Sequence, residues 1–441
     1  MIVMKFGGTS LRNAERIKAV ANIINGRLKY RPVVIVSAHH GVTEHLIAAA
    51  YQPGPAHYAR IRNLHYRIVR ELGLPVSLID PLLTELNDLL RNISRLKQVT
   101  LKELDEVLSF GERLSCRIVA GYLSQSGIPA IPLDAYDIGI ITDSHFGHAQ
   151  LLAQSHKDIP ARLRPVINSG RVPVITGFIG KDREGNISTM GRNGSDYTAT
   201  IIGAAIGARE IHLWSDVPGI MTADPRIASN VRPVPSISFN EAGELAYYSR
   251  RFHPSTLTPA IHKNIPVRIL NTYQPSAPGT TINAVKSKKT SIAKKAVKTI
   301  VYKKDLFLVT ITSGRMLMQY GFLEKIFDVF ARHKIVIDMV ATSEISVSCT
   351  TDRKDHIREA LKEISRFAGV RLEEKKAVVC VIGENIKNLR GLSADVFMAM
   401  KKAGINIHMI SYGATGINIA FLVDNRHVRA SVQALHRLIF K

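Results

Sequence analysis

The 441-residue chain reads as an α/β protein with a mainly parallel sheet, followed by a duplicated small α+β sandwich. Three observations predict this. Continuous β-branched apolar runs such as Pro32–Ala38 (P-V-V-I-V-S-A) alternate with helical patterns, and strands buried on both faces of a parallel sheet look like this. The opening strand–helix–strand order is the crossover unit of such a sheet. After Lys298 the composition changes and a repeat sets in: Gly321, Phe322, Phe327, Ile335, Ile337 and Met339 recur as Gly391, Leu392, Phe397, Ile405, Ile407 and Met409, each pair 70 residues apart.

The first stretch, Met1–Ser10, reads M-I-V-M-K-F-G-G-T-S. It predicts a strand, a glycine turn and a helix start. Adjacent Gly7 and Gly8 let backbone N–H groups approach an anion, and the helix opening adds unpaired N–H groups and a positive dipole end. Lys5 stands where its ammonium reaches the same anion. The spacing is neither that of a P-loop nor that of a dinucleotide fold, and a plain βα turn with a solvent-facing lysine accounts for these residues equally well.

Helical spacing runs over Ser10–Leu28, and the Pro32–Ala38 strand ends in S-A-H-H-G-V-T, Ser37–Thr43. Ligands of parallel sheets collect at strand carboxyl ends, where these hydroxyls fall. His39, His40 and His45 do not read as a metal site, because consecutive histidines diverge and no carboxylate stands at ligand spacing. Tyr58–Leu123 is mostly helical, with a break expected at Ser109–Glu112. Taken alone, Glu112 is a solvated helix residue. Ile128–Leu133 and Val172–Ile175 are buried strands, and Asp182–Asn186 is a hairpin turn.

Gly191–Asp196 then sets Arg192 among glycines at a strand-to-helix junction, before a small-residue helix, Tyr197–Ala208. Ser195 or Asp196 serves as a helix cap; a guanidinium there suits a bidentate carboxylate. Ile211–Ser215 is a strand and Ser215–Arg226 (S-D-V-P-G-I-M-T-A-D-P-R) a Pro/Gly loop at its carboxyl end. Helix returns at Ser238–Tyr248, strand at Val267–Leu270, and Pro275–Ile282 turns into an edge strand. Each repeat copy reads strand, glycine, helix, strand, turn, strand, helix. The second copy lacks its last strand, which Ala296–Tyr302 is inferred to supply. The expected divisions are residues 1–283 (α/β), 284–303 (basic linker and completing strand), 304–374 (first copy) and 375–441 (second copy).

Composition narrows the function classes. Apolar residues make up 46% of the chain, ample for real cores. No run approaches the ~18 apolar residues of a membrane span, and no signal-peptide pattern opens the chain. Cys116, Cys349 and Cys380 lack metal or redox spacing and fit a reducing cytoplasm. The formal charge of +23 raises nucleic-acid binding. Its densest cluster, Lys286–Lys298, carries no stacking aromatics or zinc-finger pattern, so the reading is a basic protein with anionic ligands, without nucleic-acid or membrane partners.

K-F-G-G-T-S, S-A-x-x-G-V-T, S-F-G-E-R-L-S, G-R-N-G-S-D-Y, S-D-V-P-G-I-M-T-A-D-P-R and R-F-H-P, in this order, resemble the aspartate kinases of the amino-acid kinase superfamily. The tail resembles their tandem ACT domains, and T-S-E-I-S-V at Thr342–Val347 is most similar to the lysine-sensitive branch. The resemblance spans essentially the whole chain. It implies an amino-acid-kinase-like three-layer sandwich followed by two ferredoxin-like ACT domains. It also implies ATP-dependent phosphorylation of L-aspartate to 4-phospho-L-aspartate, the entry to lysine, diaminopimelate, threonine and methionine synthesis, with Mg²⁺ on the phosphates and no dedicated protein metal site.

By the same resemblance Lys5, Asp196 and Arg250 are catalytic. Thr43, Glu112, Phe178, Arg192, Asn193, Gly194 and Ser195 bind aspartate. Lys5, Phe6, Gly7, Gly8, Ser10, Ser37, Ser215, Asp216, Met221, Arg226, Arg250 and Arg251 bind nucleotide. Met316, Gly321, Phe322, Leu323, Asp338, Thr342, Ser343 and Glu344 bind a regulatory amino acid, expected to be L-lysine, in a homodimer or dimer of dimers joined through the ACT domains. Three departures stand out. Met221 replaces a usual tyrosine, Asn193 a usual glycine, and Arg250 a second active-site lysine, keeping charge but not compact ammonium geometry. Arg250 and Met221 motivate a rival reading as a catalytically weak amino-acid sensor. A kinase for another small carboxylate is the other rival.

Overall fold

The computed structural model describes residues 1–52, 54–96, 98–248, 254–284, 296–314, 320–413 and 416–440. The chain divides into two compact units. One comprises Met1–Ile220, Pro235–Phe239 and Arg250–Ala284; the other comprises Met221–Val234, Asn240–Ser249 and Val285–Lys441.

The first unit carries, in chain order, β1 (Ile2–Phe6), α1 (Ala14–Asn25), β2 (Pro32–Val36), α2 (Val42–Tyr51), α3 (Pro55–Glu71), α4 (Asp80–Leu96), α5 (Leu101–Gln125) and β3 (Ala130–Leu133). These are followed by α6 (Ser155–Asn168), β4 (Val172–Thr176), β5 (Ile179–Lys181), β6 (Ile187–Thr189), α7 (Gly194–Ile206) and β7 (Glu210–Ser215). β8 (Ser236–Ser238), α8 (Phe239–Tyr248), α9 (Pro254–His262), β9 (Val267–Asn271) and β10 (Thr280–Asn283) complete the run. Of α8, only Phe239 belongs to this unit. The sheet order is β3-β4-β2-β1-β7-β9-β10-β8. Every neighbour pair is parallel except β9/β10. β1 and β2 sit mid-sheet, and their apolar runs are buried on both faces as predicted. Helices α1 to α5 build a large core on the β1–β2 side, while α6, α7 and α9 pack together against the sheet.

Two local expectations fail for identifiable reasons. The helix predicted from Ser10 starts later: Gly8–Leu11 forms a 3-10 turn, and α1 begins after Asn13, whose side chain accepts the Arg16 N–H at 3.0 Å. Such a cap satisfies a donor that the helix itself leaves free. The break predicted at Ser109–Glu112 does not occur, since α5 runs through it from a Thr100–Glu103 capping box. Gly111 is there for closeness: a Cβ on it would lie 2.7 Å from Ala38 Cβ. It lets α5 rest against the end of β2.

The second unit carries β11 (Thr299–Thr312), α10 (Phe322–Arg332), β12 (Val340–Thr342), β13 (Ser346–Thr351), α11 (Ile357–Ile364) and β14 (Gly369–Ile382). It continues with α12 (Leu392–Lys402), β15 (Met409–Ser411), β16 (Asn418–Asp424) and α13 (Val428–Ile439). The strands form one antiparallel sheet, β12-β13-β11-β14-β16-β15. The strand inferred at Ala296–Tyr302 does pair beside the second copy, Thr299 opposite Ile382, and the same strand continues into the first copy past register shifts between Lys303 and Leu308. β11 and β14, of 14 residues each, therefore belong to both copies. Separate cores lie under each half, around Phe330 and Val347 and around Phe421 and Val432. The segment Met221–Val234 joins this unit: Ala223 and Ala228 enter the second core, and Thr222 Oγ1 lies 3.0 Å from His436 Nε2. Among the described residues no helix is long and apolar enough to cross a membrane.

Candidate active site

The carboxyl ends of β1, β2 and β7 and the start of α7 gather most of the predicted residues of the first unit. Lys5 is mostly buried near the end of β1, and its Nζ lies 2.6 Å from Asp196 Oδ1. Asp196 sits in the first turn of α7, after Asn193, which takes the left-handed conformation (φ 60°) that caps the helix. Asparagine tolerates this backbone, so the departure from glycine at Asn193 costs little. Lys5 Nζ also faces the glycine turn, because a Cβ on Gly7 would be 3.7 Å from it. Gly8 is required by space: its Cβ would meet the Ala38 carbonyl at 2.8 Å. The turn is thus pressed against the β2 loop with amides and an ammonium close together.

Glu112 is buried on α5, and its Oε1 accepts the Ala38 N–H at 3.0 Å. It is no solvated helix residue. Burial pushes its carboxyl up to about 8; the Ala38 N–H and the Lys5 charge pull the other way. Thr43 stands in the first turn of α2, behind Gly41 at φ 81°. Ser195 is buried in α7 against Gly177, where a Cβ would sit 2.6 Å from its Oγ. Gly194 packs in the same way on Phe178. Phe178 adopts φ 70°, an uncommon conformation for an aromatic residue. It is held there by its N–H donating to Thr198 Oγ1 at 3.0 Å and its carbonyl accepting from Met190. Arg192 is exposed just ahead of α7 and has no ion-pair partner among the described residues. Its charge is available to a ligand.

Some predicted residues are occupied or lie elsewhere. The Ser10 hydroxyl is buried and bonded to Thr272 Oγ1 at 3.1 Å. The Ser37 N–H is spent on the Phe6 carbonyl. Ser215 ends β7 and Asp216 is exposed beside it. Met221 and Arg226 belong to the second unit, where the Met221 carbonyl accepts from Thr299 Oγ1 and the Arg226 guanidinium forks onto Asp224. Arg250, Arg251 and Met316 fall outside the described residues. Within the second unit, Gly321 caps α10 at φ 75°. The Phe322 ring is buried in the first core, while Leu323, Thr342, Ser343 and Glu344 are exposed. The Asp338 side chain is almost fully covered and already paired with Lys303 at 3.4 Å.

Sequence reasoning missed Thr272 and Thr198. Thr272 bridges Ser10 and the Ser215 carbonyl, tying the glycine turn to the end of β7. No local motif marks either threonine, since each acts on residues distant in the chain.

Residues 1–271 match the amino acid kinase family, and residues 309–366 and 379–438 match ACT domains. The chain belongs to the amino acid kinase family. Among its relatives in the family, the chloroplastic aspartokinase 1 of Arabidopsis thaliana is 38% identical, over all of this chain and 80% of its own. The lysine-sensitive aspartokinase 3 of Escherichia coli is 32% identical over 100% of this chain and 99% of its own. The crystal structure of E. coli aspartokinase III with aspartate and ADP superposes with a TM-score of 0.85 at 31% identity, covering 100% of both chains. The same enzyme with lysine and aspartate gives 0.84.

Proposed function

We propose that the chain transfers the γ-phosphoryl group of ATP to the side-chain carboxylate of L-aspartate, giving ADP and 4-phospho-L-aspartate. The observation that carries this reading is the Lys5–Asp196 pair at 2.6 Å, placed between the glycine turn and the start of α7. The full-length similarity to aspartokinases, one of them solved with aspartate and ADP, supports it. The product feeds the synthesis of the aspartate-derived amino acids. The free, buried cysteines suit a reducing compartment, the cytoplasm in our reading; the Arabidopsis relative carries a chloroplastic name.

The nucleophile is a carboxylate, already ionised at neutral pH, so no general base is needed. The barrier lies in bringing one anion to another, and catalysis is positioning plus positive charge. Lys5 and the Gly8 amide face the phosphates, the Gly7 N–H being spent on the Trp214 carbonyl, with Asp196 holding the Lys5 ammonium in place. Arg192 grips the α-carboxylate of aspartate and Glu112 receives its ammonium. Because burial raises the Glu112 carboxyl to about 8, the positive charge of the arriving ammonium favours loss of that proton to solvent, leaving a carboxylate to face it. Thr43, Ser195 and Phe178 shape the aspartate pocket. Mg²⁺ would be carried in by the phosphates, where it would neutralise developing charge. Arg250, Arg251, Met221 and Arg226 keep the nucleotide roles that the resemblance implies.

We further read L-lysine as the regulator, received by the first ACT copy at Met316, Gly321, Phe322, Leu323, Asp338, Thr342, Ser343 and Glu344, in a homodimer or dimer of dimers joined through the ACT domains. Hydroxylamine trapping of the acyl phosphate tests the reaction. Hydroxamate formed with L-aspartate and ATP, and not with L-glutamate, is the expected result. Preference for L-glutamate, or amino-acid binding without ADP release, would overturn it in favour of another carboxylate kinase or a sensor.

A further inference from the structure

In the second unit Asp338 is almost sealed, its side chain only 3% exposed. A buried carboxylate is costly unless paired, and here the partner comes from the same chain. Lys303 Nζ, on β11, lies 3.4 Å from Asp338 Oδ2 and 3.0 Å from Asp352 Oδ2, and it donates to Tyr247 Oη at 3.1 Å. The ammonium also stands 4.3 Å from the centre of the Tyr247 ring. Tyr247 bonds to Asp338 in turn, and with Lys303 it opposes the rise that burial imposes on the Asp338 carboxyl.

Tyr247 lies near the end of α8, whose turns are fastened to this unit. Glu241 accepts the Glu384 N–H at 2.7 Å, Glu244 accepts from the Asn418 amide, and Tyr248 meets the Cys380 thiol. Whatever holds Asp338 thus bears on α8 through Tyr247.

We propose that Lys303 is a built-in stand-in for the regulatory ligand: a free amino acid's ammonium competes with it for Asp338, and Tyr247 passes the exchange to α8. This rests on the reading of Asp338 as an effector contact. Its added content is that Lys303 tunes effector affinity and that Tyr247 is a positioning residue for inhibition, neither of them touching substrate.

The test uses the full chain, with isothermal titration of L-lysine alongside its inhibition of hydroxamate formation. Lys303→Met removes the competitor and should tighten L-lysine binding about tenfold; unchanged or weaker binding would overturn the proposal. Should Lys303→Met fold poorly, Tyr247→Phe decides. It should bind L-lysine within about threefold of the parent, yet require at least tenfold more for half-inhibition, because the contact to α8 is cut. Binding and inhibition moving together, or neither moving, would overturn it. A parent protein that gives no L-lysine heat at all refutes the effector reading itself and this inference with it, whereas a binding parent with an indifferent Lys303→Met refutes this inference alone.

Discussion

Both units pair most of their buried charge from within, as Lys5 and Asp196 do at the candidate site, but only the candidate site leaves charges open beside such a pair. At the carboxyl edge of the parallel sheet, Arg192 is exposed with no ion-pair partner among the described residues, and Glu112 is buried against a single backbone N–H. In the ACT unit, buried charge is met from within the chain. Lys303 holds Asp338 and Asp352, and the buried Lys376 ammonium is shared by Asp424 at 2.8 Å, Glu373 at 3.2 Å and His408 at 3.1 Å. A transfer site needs charge that only substrate completes. A regulatory sheet has to be stable with or without its ligand, so it completes itself, and a ligand must then displace an internal partner.

This contrast can be broken most sharply at Lys5. Lys5→Ala should lower kcat by on the order of 10³-fold, about 4 kcal/mol of barrier, with a lower thermal midpoint because buried Asp196 loses its partner but with the chain still folded. Near-parent turnover in the hydroxamate assay would remove Lys5 from the mechanism. Arg192→Ala comes next: kcat/KM for aspartate should fall on the order of 100-fold, chiefly through KM, as expected when a charge-assisted contact to the substrate is lost. A loss confined to the KM for ATP would place Arg192 on the wrong substrate.

Glu112 gives a pH signature. Its carboxyl ordinarily titrates near 4.5 and is raised in the folded chain to about 8. The unfolded chain therefore gives up this proton first, and the stability it confers is complete below about pH 4.5 and lost as pH rises through 8. Glu112→Gln should melt higher than the parent at pH 8.5 and alike at pH 4, while raising the KM for aspartate. A gap in melting temperature independent of pH would contradict the burial argument. The smallest effect belongs to the other unit. Asp424→Asn takes one of three partners from Lys376 and should cost about 1–2 kcal/mol in denaturant melts, leaving kcat/KM where it was. A change in turnover would blur the distinction between the two units.

Much of this was legible in the chain itself, and the exceptions share a cause. The parallel strands announced themselves because burial on both faces leaves unbroken Val and Ile runs at Pro32–Val36 and Val172–Thr176. The 70-residue repeat showed because both copies bury the same helix positions. At the site, Lys5, Gly7, Gly8 and Asp196 were readable because the motif and the chemistry are local. Gly111 misled, since a glycine that breaks a helix and one that lets it approach Ala38 look the same in one dimension. Thr272, Thr198 and Lys303 were invisible because each acts on residues far away along the chain. The occupied state of Asp338 was illegible for the same reason.

β11 and β14 carry a last consequence. Because each threads both halves of the ACT sheet, the duplication is a single woven panel with two shared warp threads. Cutting it anywhere between the halves would leave a fringe of unmet amides and carbonyls, which invites other chains to pair. Evolution and engineers alike are then obliged to alter feedback by changing threads in place, since trimming the panel would yield sticky fragments sooner than an enzyme freed from control.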